Sequence, residues 1–431
     1  MNEIFQRNHA VLAQRWPTLA QRLLAEAVDA VDAELVEGQT PTLRVSGIQL
    51  TSRHDRIKEA QLQADSLPAD TKQVHVYGTG LGDLQRVLLA APTLDRLHVH
   101  ILNGALFALV LTLLEQDDWL SDPRLMLSYA GDASEIQLPF FALPAELVLA
   151  DDGSARIRDR LVSEVHVAFT NQTFDPQTPA NRHALQQGLA LLEHDTDVGT
   201  LFGTQAGREV FVIATGPSLE QHLPRLRAVR ASAERPLLVC VDTALGPLRR
   251  QGIDPDVVVS IDHLISARHL APENTAHITL VYLPRLDEKV LSAWQGPRYV
   301  GYSSSGLYEQ LRQQIPRAQL FVGGSVIHPA IDLAVQMGAS RITLFGADFA
   351  FPGNKTHTGW QDGELGPKAG VSRHWVLDGR GNKVKTQLNF RGYLIELERY
   401  IARHPEVTFF NTSRDGALIV GTAFDPDWTA P

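Results

Sequence analysis

Four short stretches of this 431-residue chain carry side chains whose types and order suit a phosphorylated ligand. ATGPSL (Ala214–Leu219) ends an apolar run and opens a helical one. Gly216 lets backbone approach a ligand closely, and Pro217 is tolerated in a first helical turn. Free amides and the Ser218 hydroxyl would then face an anion at a helix start. The same pattern also makes strand-to-helix turns that bind nothing. Two acids follow apolar runs: Asp242, next to Thr243, in VCVDTAL, and Asp262 in VSIDH. At strand ends they would accept ribose hydroxyls or base amino groups, or hold a metal. Asp242 equally suits the N-cap of the helical run after it.

The third stretch is GGSVIHPAIDLAVQMGASRITLFGADFAF (Gly323–Phe351). Gly323 and Gly324 end a strand, Ser325 is placed to cap the next helix, and Asp348 follows the next strand. The fourth, Asn354–Trp375, offers Lys355, His357, Lys368, Arg373 and His374 beside Trp360 and Trp375. Cations there would neutralise a leaving phosphate beneath a closing segment, and a histidine would act as general base. Scattered charges on a solvated loop give the same pattern. A fifth stretch, GTGLGD (Gly78–Asp83), has the glycine spacing of a dinucleotide or S-adenosylmethionine turn. Such turns want an acid after the next strand. Asn103 stands there, which points to a structural Rossmann-like domain and leaves a methyltransferase reading last.

The elements that must position these residues alternate. Residues 2–37 read as helix, with Phe5, Leu12, Trp16, Leu19, Leu23 and Val31 near one face. QVHVYG (73–78), RLHVHIL (96–102) and RLMLSYA (124–130) are strand-like, with helices at 83–89 and 104–115 between them. That is a doubly wound pattern. Residues 155–202 read as helical linker interrupted near Phe174–Asn181. A second α/β unit follows, with strands at 209–215, 237–242, 257–262, 278–283, 298–302 and 341–346, whose β-branched runs suit a parallel sheet buried on both faces. Phe351–Lys385 has no hydrophobic period and reads as a long functional loop. A helix (388–404) and the strand VTFFN (407–411) close the pattern. The expected class is α/β: two Rossmann-like domains joined by helices, divided 1–150, 151–204 and 205–423, with a tail at 424–431.

A formal charge of −10 argues against a general nucleic-acid binder. The single cysteine, Cys240, excludes an intramolecular disulfide and a cysteine zinc site. It reads as a buried strand residue. No apolar run approaches the ~20 residues of a membrane span, and residues 1–16 are too polar for a secretory core. The expectation is a soluble cytoplasmic protein that contacts neither membrane nor nucleic acid.

Together, ATGPSL, VDTALGPLRRQGIDPDVVVSID, the Gly323–Trp360 stretch, DGRGNKVKTQLNFRGYLIELERYI and FFNTSRDGALIVGT resemble the bacterial motility accessory factors over roughly residues 205–423. The N-terminal domain resembles theirs more loosely. That family implies transfer of a pseudaminic or legionaminic acid, both nonulosonic acids, from a CMP donor to flagellin, as needed for filament assembly and motility. The same core is similar to small bacterial sialyltransferases. That likeness implies donor contacts from Gly216, Pro217, Ser218, Gly323, Gly324, Ser325 and Asp348, with no cofactor and no metal. Their turn carries Asn where Thr215 stands, and their base-contacting Asn is Asp242. No histidine lies between Trp375 and Arg403, and no tyrosine in 351–385. His357 and His374 are therefore the candidate bases, and Lys355 and Arg373 the candidate phosphate clamp. The domain also resembles a pterin pyrophosphokinase family, which implies ATP and Mg²⁺ held by Asp242, Asp262 and Asp348. A third reading is an inactive, flagellin-binding assembly factor.

Overall fold

The computed structural model describes residues 2–68, 70–172, 192–262, 264–366, 368–372 and 374–429. The chain is mixed α/β and forms two compact units, Met1–Val165 and His166–Pro431.

In the first unit Asn2 caps a helix over Glu3–Arg15, and a second helix runs Pro17–Leu24. The long helix expected over 2–37 is broken because Pro17 lacks an N–H and bars helical geometry at Trp16, whose φ is −138°. Further on, Ala33–Val36 (β1) pairs antiparallel with Thr42–Val45 (β2), which pairs with Ile48–Gln49 (β3). Phe5, Leu12, Leu19 and Leu23 are nonetheless buried in the core of the main sheet. That sheet holds Gln73–Tyr77 (β4), Arg96–Ile101 (β5), Leu125–Tyr129 (β6) and Phe140–Ala142 (β7), all parallel, in the order β6-β5-β4-β7. Helices Asp83–Ala90 and Gly104–Leu113 follow β4 and β5. The chain steps outward from β4 to β6 and then returns to β4's other side. This reversal puts a topological switch point between β4 and β7.

The linker's first half is the helix Ala155–Gln172. The interruption expected near Phe174–Asn181 lies outside the described residues.

Among the described residues the second unit carries nine parallel strands: Thr196–Asp197 (β8), Glu209–Ile213 (β9), Leu237–Val241 (β10), Val257–Ser260 (β11), Thr279–Tyr282 (β12), Arg298–Val300 (β13), Arg341–Phe345 (β14), Thr408–Asn411 (β17) and Ala423–Phe424 (β18). Their order is β18-β17-β14-β9-β10-β11-β12-β13-β8. Val210, Val212, Ile213, Leu238–Cys240, Val258, Val259, Ile342 and Leu344 are fully buried, as strands covered on both faces require. The sheet begins earlier and ends later than 205–423. β8 pairs with β13, and Trp428 packs edge-on against Phe211 and Phe345, so the expected tail is part of this core. Within Phe351–Lys385 the expected structureless stretch folds in part. His374–Leu377 (β15) and Lys383–Thr386 (β16) form an antiparallel hairpin around the DGRGN turn. The late helix spans Leu388–Ala402. Among the described residues no helix is long and apolar enough to cross a membrane.

Candidate functional site

The second unit reverses direction between β9 and β14, and a cleft of about 130 Å³ opens above their carboxyl ends. Its floor is the loop after β9 (Ala214–Gly216), Thr243 after β10, and Gly346–Ala350 after β14.

The two loops of the floor interlock. The Gly216 amide donates to the Gly346 carbonyl at 2.8 Å. A Cβ on Gly216 would collide with that carbonyl and stand 2.5 Å from Asp348 Oδ2. The glycine is thus required by the neighbouring strand end. Asp348 lies beneath the turn and accepts from the Ser218 amide at 2.8 Å. Burial pushes its carboxyl up to about 6, against the lowering effect of Ser218. Pro217–His222 is a 3₁₀ turn, with the α-helix starting only at Leu223. The expected α-helical start at Pro217 is therefore replaced by a 3₁₀ turn, with the Ser218 amide bonded to Asp348.

Thr215 and Thr243 share a 2.6 Å hydroxyl contact across the floor. Asp242 opens the helix Asp242–Arg250 from its first position while Val241 takes the cap position, so the N-cap expected of Asp242 is one residue early. Its carboxylate accepts from the Thr243 amide at 2.7 Å and the Ser260 hydroxyl at 2.9 Å. Burial pushes it up to about 7, with the nearby Asp262 charge adding to the rise.

The far wall is Ser325–Ile327, Phe390 and Tyr393. Ser325 does not cap the helix after it. That helix starts at Ile327, with Val326 at the cap position and no side-chain bond, and Ser325 lines the cleft. Gly324 has φ +96°, and a Cβ there would sit 2.6 Å from the Tyr393 ring. Only glycine combines that backbone with the ring's position. The buried His328 ring braces the wall, with Nε2 2.9 Å from the Tyr393 carbonyl oxygen.

Over the top runs Thr356–Trp360. The Thr358 amide donates to the Thr215 carbonyl at 2.7 Å and its hydroxyl to the Gly216 carbonyl at 2.8 Å. Trp360 Nε1 donates to the Thr243 carbonyl at 2.9 Å. These bonds set Thr356 and His357 into the cleft. His357 Nδ1, Thr356 Oγ1 and, under the turn, Ser218 Oγ are buried without a hydrogen-bond partner. Such orphans are costly unless something meets them. Burial lowers His357 to about 4, so its imidazole is neutral at neutral pH. No lysine or arginine lines the cleft among the described residues. A ligand there meets hydroxyls, backbone amides and one imidazole.

Residues 186–354 match the family of MptE-like 6-hydroxymethylpterin diphosphokinases. The match takes in β9–β14 and the cleft floor and stops before Thr356, His357 and Tyr393. Among solved structures, the chain is similar to a MAf glycosyltransferase from Magnetospirillum magneticum AMB-1, at 15% identity and a TM-score of 0.46, over 100% of this chain and 75% of that one. No curated protein matches the chain.

Of the residues singled out in the sequence, Gly216, Thr243, Ser325, Asp348 and His357 line one cleft. Gly323 and Gly324 lie behind its wall, against His328 and Tyr393. Asp242 lies under it. Asp262 is exposed at the end of β11 and accepts from the Leu264 amide. Lys355 is ion-paired with Glu220 outside the cleft. His374 begins β15 and does not line the cleft, and Arg373 lies outside the described residues. Asp242, Asp262 and Asp348 do not gather closely enough to share one ion. The acids therefore do not fit a three-carboxylate Mg²⁺ centre.

Thr356 and Tyr393 were not legible as site residues. Thr356 sits beside His357 and shares its placement. Tyr393 has no neighbouring motif, and the glycine pair at Gly323–Gly324 is the one sequence signal that a large ring comes close.

The Gly78–Gly82 turn stands at the first unit's switch point and is already filled. Glu146, just after β7, accepts from the Thr79 amide at 2.8 Å and also from the Gly80 amide. Asn103 caps the next helix by accepting from the Leu106 amide at 2.9 Å, a structural role.

Proposed function

We propose that the chain is a glycosyltransferase that moves a nonulosonic acid of pseudaminic or legionaminic type from a CMP donor to Ser or Thr hydroxyls of flagellin in the cytoplasm. The observation that carries this reading is the cleft between β9 and β14, with His357 Nδ1 and Thr356 Oγ1 unpartnered. Support also comes from the sequence likeness of this region to the motility accessory factors and sialyltransferases.

The CMP-sugar lies across the ends of β9, β10 and β14. Thr215, Thr243 and Ser325 give it hydroxyl partners, and the start of the helix at Ile327 faces its negative groups. His357 is neutral in the empty cleft. A bound phosphate and carboxylate raise its proton affinity, so it becomes a better base once donor is present. It takes the proton of the acceptor hydroxyl as the oxygen attacks the anomeric carbon, and the bond to the CMP phosphate breaks. Direct displacement inverts that carbon. Orientation and fixed dipoles supply most of the rate, and neither a cofactor nor a metal is required.

The match over residues 186–354 favours a second reading, diphosphate transfer from ATP to a pterin with Mg²⁺. Thermal shift separates the two, because a ligand of the folded state raises the melting point. The transferase reading expects a rise with CMP and none with ATP plus Mg²⁺; the reverse moves the chain to diphosphotransfer. Flagellin incubated with the protein and a CMP-nonulosonic acid then gains one sugar mass per site. An unchanged mass despite CMP binding leaves an assembly factor with an inactive site.

A further inference from the structure

His98 and His100 stand two apart on β5 and so project from one face of the first unit's sheet. His75 on β4 is the register partner of His98. One nitrogen from each of the three rings lies within 4.8 Å of one from each of the others. His75 Nδ1 is 3.0 Å from His100 Nε2. Two imidazoles on a tetrahedral Zn²⁺, each about 2.0–2.1 Å from the ion, stand roughly 3.3 Å apart, so that pair is already at ligand spacing.

The opposite nitrogens have partners. His75 Nε2 lies 3.4 Å from the Gln73 side-chain amide. His100 Nδ1 is 3.2 Å from Ser128 Oγ, which is 3.1 Å from His98 Nε2. Outer partners of this kind fix the tautomer and orientation of metal-bound histidines. The other face of the same strands is aliphatic: Val74, Val76, Leu97, Val99 and Ile101 are fully buried. Packing alone is met there by Val, Leu and Ile, and does not account for three adjacent imidazoles, two of them buried (His75, His100) and one half-buried (His98). An ion has a way in, since Met126, the register partner of His98 on β6, is 48% exposed.

We infer that His75, His98 and His100 form a metal site in the first unit that holds a late first-row divalent cation, Zn²⁺ by ligand type, through three imidazole nitrogens. The arrangement is two ligands at i and i+2 on one strand and a third directly across on its neighbour. It is independent of the cleft in the second unit and of the activity proposed there.

The test uses the full chain without a tag, stripped by chelator and titrated with Zn²⁺ against a chromophoric competitor, and with Co²⁺ as an optical probe. One equivalent binds tightly, the Co²⁺ complex shows visible bands of nitrogen and oxygen ligation, and Zn²⁺ raises the melting point. His98→Gln, half-exposed in the folded chain, lowers affinity at least about 100-fold, and Ser128→Ala about 10-fold, the scale set by outer partners. Both variants keep the wild-type melting point in chelator. No saturable Zn²⁺ binding, or wild-type affinity in both His98→Gln and His75→Gln, overturns the proposal.

Discussion

Each unit places a glycine turn at its switch point, after β4 in the first and β9 in the second, and answers it with an acid from across that point. In the first unit, Glu146 takes the Thr79 and Gly80 amides together, and the hollow beside them is about 10 Å³. In the second, Asp348 takes only the Ser218 amide, from below, and about 130 Å³ stays open above Thr215 and Gly216. The same topology thus makes a sealed cradle once and an open one once. The difference lies in the acid's reach and side of approach. Glu146 is held on its own short helix (Pro144–Leu149), at the anion's position, whereas Asp348 is packed beneath the loop, with Gly416 so close that a Cβ there would stand 2.6 Å from its Oδ1. A glycine motif is therefore a binding site only where the fold has not already supplied its anion.

The sharpest way to break the comparison is to change one polar group in each place and assay sugar transfer. His357→Ala lowers kcat by about 10²–10⁴, the range for a general base, with an unchanged melting point. Glu146→Gln leaves kcat and the donor KM as they are. Equal losses in both variants would sink the assignment of the chemistry to the second unit.

Stability tests the seal. Glu146→Ala leaves two buried amides unmet, at about 1–3 kcal/mol each, so guanidinium unfolding should show a loss of roughly 2–6 kcal/mol. Asp348→Ala strips one amide and costs about 1–3 kcal/mol. Glu146→Gln keeps an acceptor and removes the charge. Burial, opposed by the Gly80 and Thr79 amides, raises Glu146 from the ordinary 4.5 to about 7. Between those values the folded state keeps a proton that the unfolded chain releases. Its contribution is therefore complete below about pH 4.5, declines as pH rises through about 7, and is flat above. The Gln variant then matches wild type near pH 4.5 and exceeds it by up to about 3 kcal/mol at pH 8. A difference that does not vary with pH would mean that Glu146 is ionised throughout.

Much of this was legible in the sequence, for identifiable reasons. β9–β12, β14 and β17 are long β-branched or aromatic runs, and each was placed within two residues. Strand ends in a parallel sheet share a rim, so Gly216, Thr243 and Asp348 could be grouped from the sequence alone. Two-residue strands such as β8 and β18 have no period to read, which is why the second unit's limits lay further out than the sequence suggested. Pro17 marked a helix break that the surrounding apolar spacing hid. Glu146 is 66 residues from the Gly80 amide it fills, and no local pattern shows that a turn is taken from so far away. The pairing of Lys355 with Glu220 is of the same kind: a cation that suits a phosphate clamp is equally suited to the nearest exposed acid.

The smallest effect probes the covering segment, for which the sealed turn has no counterpart in function. Trp360 Nε1 and the Thr358 amide and hydroxyl hold Thr356–Trp360 onto carbonyls of Thr243, Thr215 and Gly216. Those carbonyls belong to the same residues that form the floor. Holding the segment in place and shaping the cleft floor thus rest on the same residues in the second unit. Trp360→Phe keeps the ring's bulk and removes a single neutral hydrogen bond, worth about 0.5–1.5 kcal/mol. If closure is coupled to donor binding, that loss appears as a rise of roughly 2–12-fold in the CMP-sugar KM, with kcat retained because His357 is still delivered once the segment closes. A fall in kcat at constant KM would instead mean that Trp360 sets the base's position in the transition state. If neither constant moves, the Thr358 bonds and the Arg250 bond to the Gly359 carbonyl hold the segment down, and the indole serves only to pack against His269.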